Sequence, residues 1–487
     1  MVEELNAIPP PQPSPGGSGG NREKQSLTLA IIGGGYAGMA AAVELAAQGI
    51  PVTVFESAKQ LGGRARGVRI PNPPGQGEHP ASPSFQLSPE GEKGNRPLTG
   101  EYLTLDNGQH LLLGCYRETL RLIERVGGNI KTDFLRLPLQ LDLHRHLELR
   151  APRLPAPFHL LVALASARGL TKRERIAAMR FMLSLRVMKF RLPQDMTVAA
   201  LLVQYRQDAD LTLKLWEPLT LAALNTPIHK ASAQVLLNVL RDALNRKRAD
   251  SDMLLPRIDL GALFPQRAAA YVARHGGTVR LSCAVESVVA HPEGIELSTA
   301  QGVQRFSQVI CAVAPGAAAR LLGPLPGMDA TVHQIAALEQ QPIYTVYLQY
   351  PAHVTLPHPM IGLHRRFSQW LFDKGRIAGQ NGLLAAVISA EGVHQQLAQE
   401  ELAQRVISEL REEFGIAQTP HWFQVIAEKR ATFCCTPNLQ RPPPQTPLPG
   451  LWLAGDYVAG DYPATLEGAV ISGVAAARLA QDRSGRM

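Results

Sequence analysis

The chain has 487 residues, a formal net charge of +8, 45% hydrophobic and 18% charged residues, a balance that excludes wholesale disorder and supports a buried core. Its 42 glycines and 38 prolines follow no Gly-X-Y period, which excludes collagen and points to a few loop-rich segments. Five cysteines, at 115, 283, 311, 434 and 435, include no CxxC pair, so neither a disulfide framework nor a zinc knuckle is indicated and a reducing cytoplasm is expected. Neighbouring Cys434 and Cys435 are read as structural, because adjacent cysteines form strained disulfides.

The first 26 residues carry acids and prolines where a signal peptide needs a basic start and an apolar core, so they are expected to form a disordered tail. The longest uncharged stretch, 27–43, is seventeen residues with four glycines, short for a membrane span and better read as a strand and turn. LTLAIIGGGYAGMAAAVELAAQGIPVTVFE (27–56) then reads as strand, glycine turn, Ala-rich helix and second strand. Gly33, Gly35 and Gly38 form GxGxxG between strand and helix, and with Ala37 they are the expected diphosphate loop on a positive helix end. Gly33 permits the turn, Gly35 the approach of a pyrophosphate, and Gly38 close helix packing. Glu56, ending the second strand, can accept both ribose hydroxyls and would repel a 2′-phosphate, which favours FAD or NAD over NADP.

Residues 71–100 are rich in Pro, Gly and Ser and read as an inserted flexible loop. Apolar residues at helical spacing predict a mainly helical section over 114–250. Residues 151–192 hold nine Lys or Arg and one acid. There Ile176, Met179, Leu183, Val187 and Phe190 form a helical stripe that suits either a core-packed helix or a surface docking on an anionic membrane; nucleic acid is not favoured, for want of a binding module. GGTVRLSCAVESVVAHPEGIELSTAQGVQRFSQVICAV (276–313) predicts a small antiparallel meander, mixed elements follow to about 430, and a Pro-rich linker leads to a last strand and a small-residue helix. The fold class expected is α/β: a Rossmann-like dinucleotide-binding domain over 27–113, 251–325 and 440–480, with a mixed α+β substrate domain over 114–250 and 326–439.

LGGRARG (61–67) and LWLAGD (451–456) resemble the FAD enzymes of the amine oxidase and phytoene desaturase superfamily. The resemblance implies that Gly63 and Arg64 lie along the FAD diphosphate and that Gly455 and Asp456 approach the ribityl chain. It also implies that the backbone at Val285 meets adenine, and that Glu467, Gly468 and Ala469 start a helix aimed at the flavin. A helix N-terminus there favours the anionic charge of a reduced flavin. No second GxGxxG follows a strand, so an external electron donor is expected; the histidines lack metal-ligand spacing, and no metal site is expected.

LDNGQHLLLGCYRETLRLIERVG (105–127), the block containing ALNTP (215–244), SDMLLPRIDLGALFP (251–265), FSQWLFDKG (367–375) and GDYPATLEGAVISG (460–473) are similar to the hydroxysqualene dehydroxylase family. That resemblance implies reductive removal of the hydroxyl of an allylic triterpene alcohol to give squalene in bacterial hopanoid biosynthesis. Protonation makes water the leaving group and flavin hydride captures the allylic cation. Asp106 and His110, in DNGQH, are the candidates for proton delivery, against a reading of DNGQH as a turn that holds the cofactor loop. Asn225, Thr226 and Pro227 either line the substrate site or form an Asx or Ser/Thr turn. Peripheral attachment to the inner membrane and contact with other squalene-pathway enzymes fit a substrate that partitions into bilayers. An isoprenoid desaturase or amine oxidase, and a non-catalytic flavin-bearing scaffold, remain the alternatives at this point.

Overall fold

The computed structural model describes residues 28–71 and 102–484; the expected tail and all but Pro71 of the expected insertion lie outside the described residues. Five strands form a parallel sheet in the order Thr278–Arg280, Val52–Phe55, Leu29–Ile32, Gln308–Cys311, Leu451–Leu453. Alternation along the strands divides the core. Leu29, Ile31, Val52 and Val54 pack under the first helix (Tyr36–Ala46) and the C-terminal helix (Leu466–Ser484), while Ala30, Ile32 and Phe55 face the opposite layer. The close approach of those two helices depends on glycine, since a Cβ on Gly473 would run into the carbonyl of Ala37.

The expected meander forms from Val285–His291, Gly294–Thr299 and Gly302–Phe306, all antiparallel. The strand before it, Thr278–Arg280, joins the parallel sheet instead. Gly67–Pro71 pairs antiparallel with Tyr102–Asp106, so the chain returns to the nucleotide cleft at Asn107.

The section 114–250 is not mainly helical at its start. Helix Arg117–Arg125 packs against the C-terminal helix, with Leu122 and Ile123 in the core under the parallel sheet, and so sits with the dinucleotide-binding unit. Strands Phe134–Leu137, Gln140–Leu143 and Leu147–Arg150 follow. Their alternation, as in LELR, has the two-residue period of a strand; Gln140–Leu143 and Leu147–Arg150 pair with each other as a local hairpin, and distant strands pair with Phe134–Leu137 and Gln140–Leu143. The first pairs with Met253–Pro256; the other two close a seven-stranded sheet whose further members are Met360–Gly362, Trp370–Asp373, Leu383–Ser389, Gln340–Gln349 and Trp422–Phe433. One face of that sheet (Val346, Leu348, Ala386, Ile388) is covered by helix Gln399–Phe414. The other (Tyr347, Trp370, Phe372, Val387) looks toward helices Phe158–Ser166, Lys172–Val187, Glu217–Leu224 and Ala233–Leu244.

Candidate functional site

Between these layers lies a cavity of about 740 Å³ whose wall runs from the parallel sheet to the helices. Its polar end is built from strand ends: Gly33 and Gly35 after the first strand, Glu56 after the second, then Gly63, Arg64, Val285, Gly455 and Asp456. Gly33 holds a φ of 108°, which only glycine adopts without strain. A Cβ on Gly38 would strike the carbonyl oxygen of Gly33, whereas a Cβ on Gly35 would meet no protein atom within 4 Å. Gly38 is therefore needed by the protein and Gly35 by whatever fills the space beside it, at the start of a helix with uncompensated first-turn amides.

The Glu56 carboxylate is fixed by the amides of Gly34 (2.7 Å) and Ala58 (2.8 Å), which leaves lone pairs for ribose hydroxyls. Arg64 bonds Asp456 at 2.5 Å and the Ala431 carbonyl at 2.6 Å. Burial works against the guanidinium charge, yet Asp456, together with Glu428 and Tyr457, raises the pKa, so the arginine stays charged beside the expected diphosphate. The Gly455 amide donates to Ser472 Oγ at 2.8 Å, which ties the last strand to the C-terminal helix. An open glycine cradle, an anchored acid at the strand end and a fixed arginine fit the diphosphate and ribose of FAD.

At the helix start, Ala469 lines the cavity, but Glu467 and Gly468 do not. Glu467 turns back to accept from the amides of Glu118 (3.0 Å) and Thr119 (2.9 Å) and from Thr119 Oγ1 (2.7 Å), capping helix Arg117–Arg125. Burial raises its pKa against these hydrogen bonds. The Gly468 amide is taken by Thr465 Oγ1 at 3.1 Å.

DNGQH divides in the same way. Asn107, Gly108, Gln109 and His110 line the cavity, whereas Asp106 lies behind its wall. The Asp106 carboxylate accepts the Leu260 amide at 3.0 Å and sits 3.7 Å from Lys374 Nζ, which itself donates to Gln109 Oε1 at 3.2 Å. Asp106, a candidate for proton delivery by sequence, is therefore engaged by Leu260 and Lys374 and does not line the cavity. His110 Nδ1 lies 2.7 Å from the Gly108 carbonyl, an arrangement in which Nδ1 donates and Nε2 is left to the cavity. Burial lowers the pKa of this imidazole.

Glu428 was not legible in sequence: it sits in a charged run (EKR) that reads as a solvated face, yet it lines the cavity and accepts from Asn107 Nδ2 at 3.3 Å. Asn225 borders the cavity in left-handed conformation, joined to Thr432 Oγ1 (2.9 Å), Pro342 O (3.2 Å) and the Ala390 amide (2.7 Å). Thr226 accepts the Cys435 amide at 3.0 Å. The ALNTP block therefore fastens a helix end to the seven-stranded sheet while Ala223, Leu224 and Asn225 also line the cavity, so neither of the two roles expected for it excludes the other.

Away from these groups the wall is mostly apolar, with Leu141, Leu160, Met182, Trp216, Leu240 and Phe372 among its residues and Gln140, Ser251 and Arg320 as polar exceptions. All five cysteines are buried and free, and burial with nearby acids pushes the Cys115 thiol up to about 12. Among the described residues no group of three or more His, Cys, Asp or Glu is arranged to hold a metal ion.

Parallel sheet, glycine cradle, ribose acid and a joined apolar chamber define an FAD-dependent oxidoreductase. The chain belongs to the family described as flavin containing amine oxidoreductase, whose model matches residues 36–480. It is similar to the hydroxysqualene dehydroxylase of Sinorhizobium fredii, with 30% identity over 465 residues, 92% of this chain and 97% of that protein. That of Rhodopseudomonas palustris is 28% identical over 470 residues, 93% and 98% of the two chains. These relatives bear out the resemblance drawn from the NGQH and ALNTP blocks. In fold the chain is like the cyclohexylamine oxidase of Brevibacterium oxydans, with a TM-score of 0.66 and 16% identity over 95% of this chain and 100% of the other.

Proposed function

We propose that this oxidoreductase reduces hydroxysqualene to squalene in hopanoid-type triterpene synthesis, drawing electrons from an external donor while attached peripherally to an anionic membrane. The observation that carries the reading is the continuity of one cavity from the dinucleotide cleft into a chamber walled by Leu, Met, Trp and Phe side chains. Such a wall suits a long hydrocarbon and excludes the water that would compete for an allylic cation. FAD, when bound and reduced by that donor, would supply the hydride that replaces the hydroxyl lost as water. His110 carries the proton at Nε2 and delivers it to that hydroxyl, with Nδ1 held by the Gly108 carbonyl. Asp106, through Lys374 and Gln109, fixes the loop on which His110 stands. Glu428 adds a carboxylate whose charge favours a developing cation. Exchange of lipid with other squalene-pathway enzymes belongs to the same reading.

The test is anaerobic. Adding hydroxysqualene to the reduced protein is expected to restore the oxidised flavin spectrum in step with squalene formation. Preferred oxidation of squalene, phytoene or an amine would move the chain to a desaturase or oxidase activity, and bound FAD without turnover of any of these would leave a scaffold.

A further inference from the structure

The stripe on helix Lys172–Val187 faces outward. Ile176, Leu183 and Val187 are exposed, Val187 at 78%, while Ala178, Phe181, Met182 and Leu185 supply the buried face. Of the expected stripe, Met179 is only half-buried and Phe190 turns into the core. The preceding helix, Phe158–Ser166, repeats the pattern with Phe158 (60%) and Val162 (42%) exposed and Leu160, Ala163 and Leu164 buried. Exposed large apolar residues are ordinary when scattered singly, but five on two packed helices are not.

The two helices are a unit. Arg175 reaches back to the carbonyls of Ala165 and Leu170 at 3.1 Å each, and a Thr171–Glu174 capping box starts the second helix. Their inner residues Leu160, Leu164 and Met182 are part of the cavity wall. The same pair is therefore apolar toward the cavity and apolar toward the outside. Lys172, Arg173, Arg180, Arg186 and Lys189 are exposed on this segment and form no ion pair with any described residue. Arg180 lies within the stripe, on the face of Ile176 and Leu183, where a long side chain can lift its charge to the headgroups while its stem stays in the apolar layer.

We infer that this helix pair is the membrane-inserted wall of the cavity: it sinks its outer face into a bilayer with anionic headgroups and takes the lipid substrate directly across itself. The inference rests on the isoprenoid reading for its cargo, but not for its docking. The partner is fixed by chemistry. An apolar stripe ringed by unpaired cations matches an anionic interface, since the stripe enters the acyl boundary and each cation gains from the negative surface. Among the described residues no helix is long and apolar enough to cross a membrane.

The experiment uses the FAD-loaded full chain. Because the native cysteines are buried, Val187→Cys accepts an environment-sensitive fluorophore selectively. Vesicles with about one-third phosphatidylglycerol are expected to shift its emission to the blue, and quenchers placed on the acyl chains to darken it, with release as salt rises. Leu183→Asp/Val187→Asp, both at exposed positions, is expected to weaken vesicle binding about tenfold or more, leaving FAD content and melting temperature unchanged. KM for vesicle-borne hydroxysqualene should rise accordingly, while turnover of detergent-presented substrate stays at the wild-type level. Absence of wild-type binding to anionic vesicles at low salt overturns the inference. So does binding that the label at 187 does not sense, or a concentration-dependent dimer whose formation the double variant abolishes without any vesicle effect. Intact vesicle binding with no turnover of hydroxysqualene would sink the proposed substrate alone.

Discussion

Gly35 and Gly38, three residues apart in one motif, should fail in different ways when given a methyl group. At Gly38 the new Cβ would collide with the Gly33 carbonyl and stand 3.2 Å from Ala312 Cβ, so the first helix must move off a sheet it cannot leave. Overpacking of this kind costs about 1–3 kcal/mol or more, and a fall of several degrees in melting temperature is expected for Gly38→Ala. At Gly35 the backbone has φ −77° and ψ −176°, open to any residue, and the Cβ meets nothing within 4 Å. The protein itself then feels only a small loss at a helix N-cap, about 0.5 kcal/mol, offset by the stiffer unfolded chain. The methyl does fill the space beside the first-turn amides. Losing one or two charge-assisted hydrogen bonds to a diphosphate, about 3 kcal/mol, predicts roughly 100-fold weaker FAD binding. Thermal melts of the apo-proteins and flavin fluorescence titrations separate the two effects. If Gly35→Ala binds FAD as wild type does, or melts as low as Gly38→Ala, the division of roles is wrong.

His110 must be protonated to act as an acid, and burial sets its pKa below the ordinary 6.5, so turnover should be full on the acid side and decline as pH rises through that lowered value. His110→Gln should remove this limb and slow turnover about a hundredfold or more with FAD content intact; loss of FAD instead would assign the loop to cofactor holding. Glu467 has a raised pKa in the folded chain, so the native state holds its proton more tightly than the unfolded chain does between 4.5 and that raised value. Stability should fall as pH climbs through the window. Denaturant melts of Glu467→Gln should show a flatter dependence there, and an unchanged slope would point to another group. Arg64→Ala and Asp456→Asn, made singly and together, should couple by about 1–3 kcal/mol in apo-protein stability; simple additivity would mean that the ion pair does not hold the cleft.

The dinucleotide half was legible because its constraints are local. A turn with φ of 108° at Gly33, a helix that must approach the Gly33 carbonyl at Gly38, and an acid ending the second strand each demand a residue type at a fixed spacing. The family blocks extended that reading to the substrate, since NGQH and ALNTP are contiguous in the chain. What spacing alone left open was the direction of each side chain. Asp106 ends a strand and His110 stands four residues on in the loop that follows, yet Leu260 and Lys374, far along the chain, hold the first behind the wall while the second lines the cavity. Glu428 enters the cavity from a segment that reads as solvated, because the edge strand carrying it pairs with Gln340–Gln349. Of the short strands over 134–150, Phe134–Leu137 and Gln140–Leu143 pair with strands more than a hundred residues away, while Leu147–Arg150 pairs with its neighbour Gln140–Leu143. The stripe on 172–187 had an apolar face by its own periodicity, but periodicity cannot say which of two apolar faces is covered. Packing placed Phe181, Met182 and Leu185 inward and left Ile176, Leu183 and Val187 outside, because burial is settled by what the rest of the chain brings to each face.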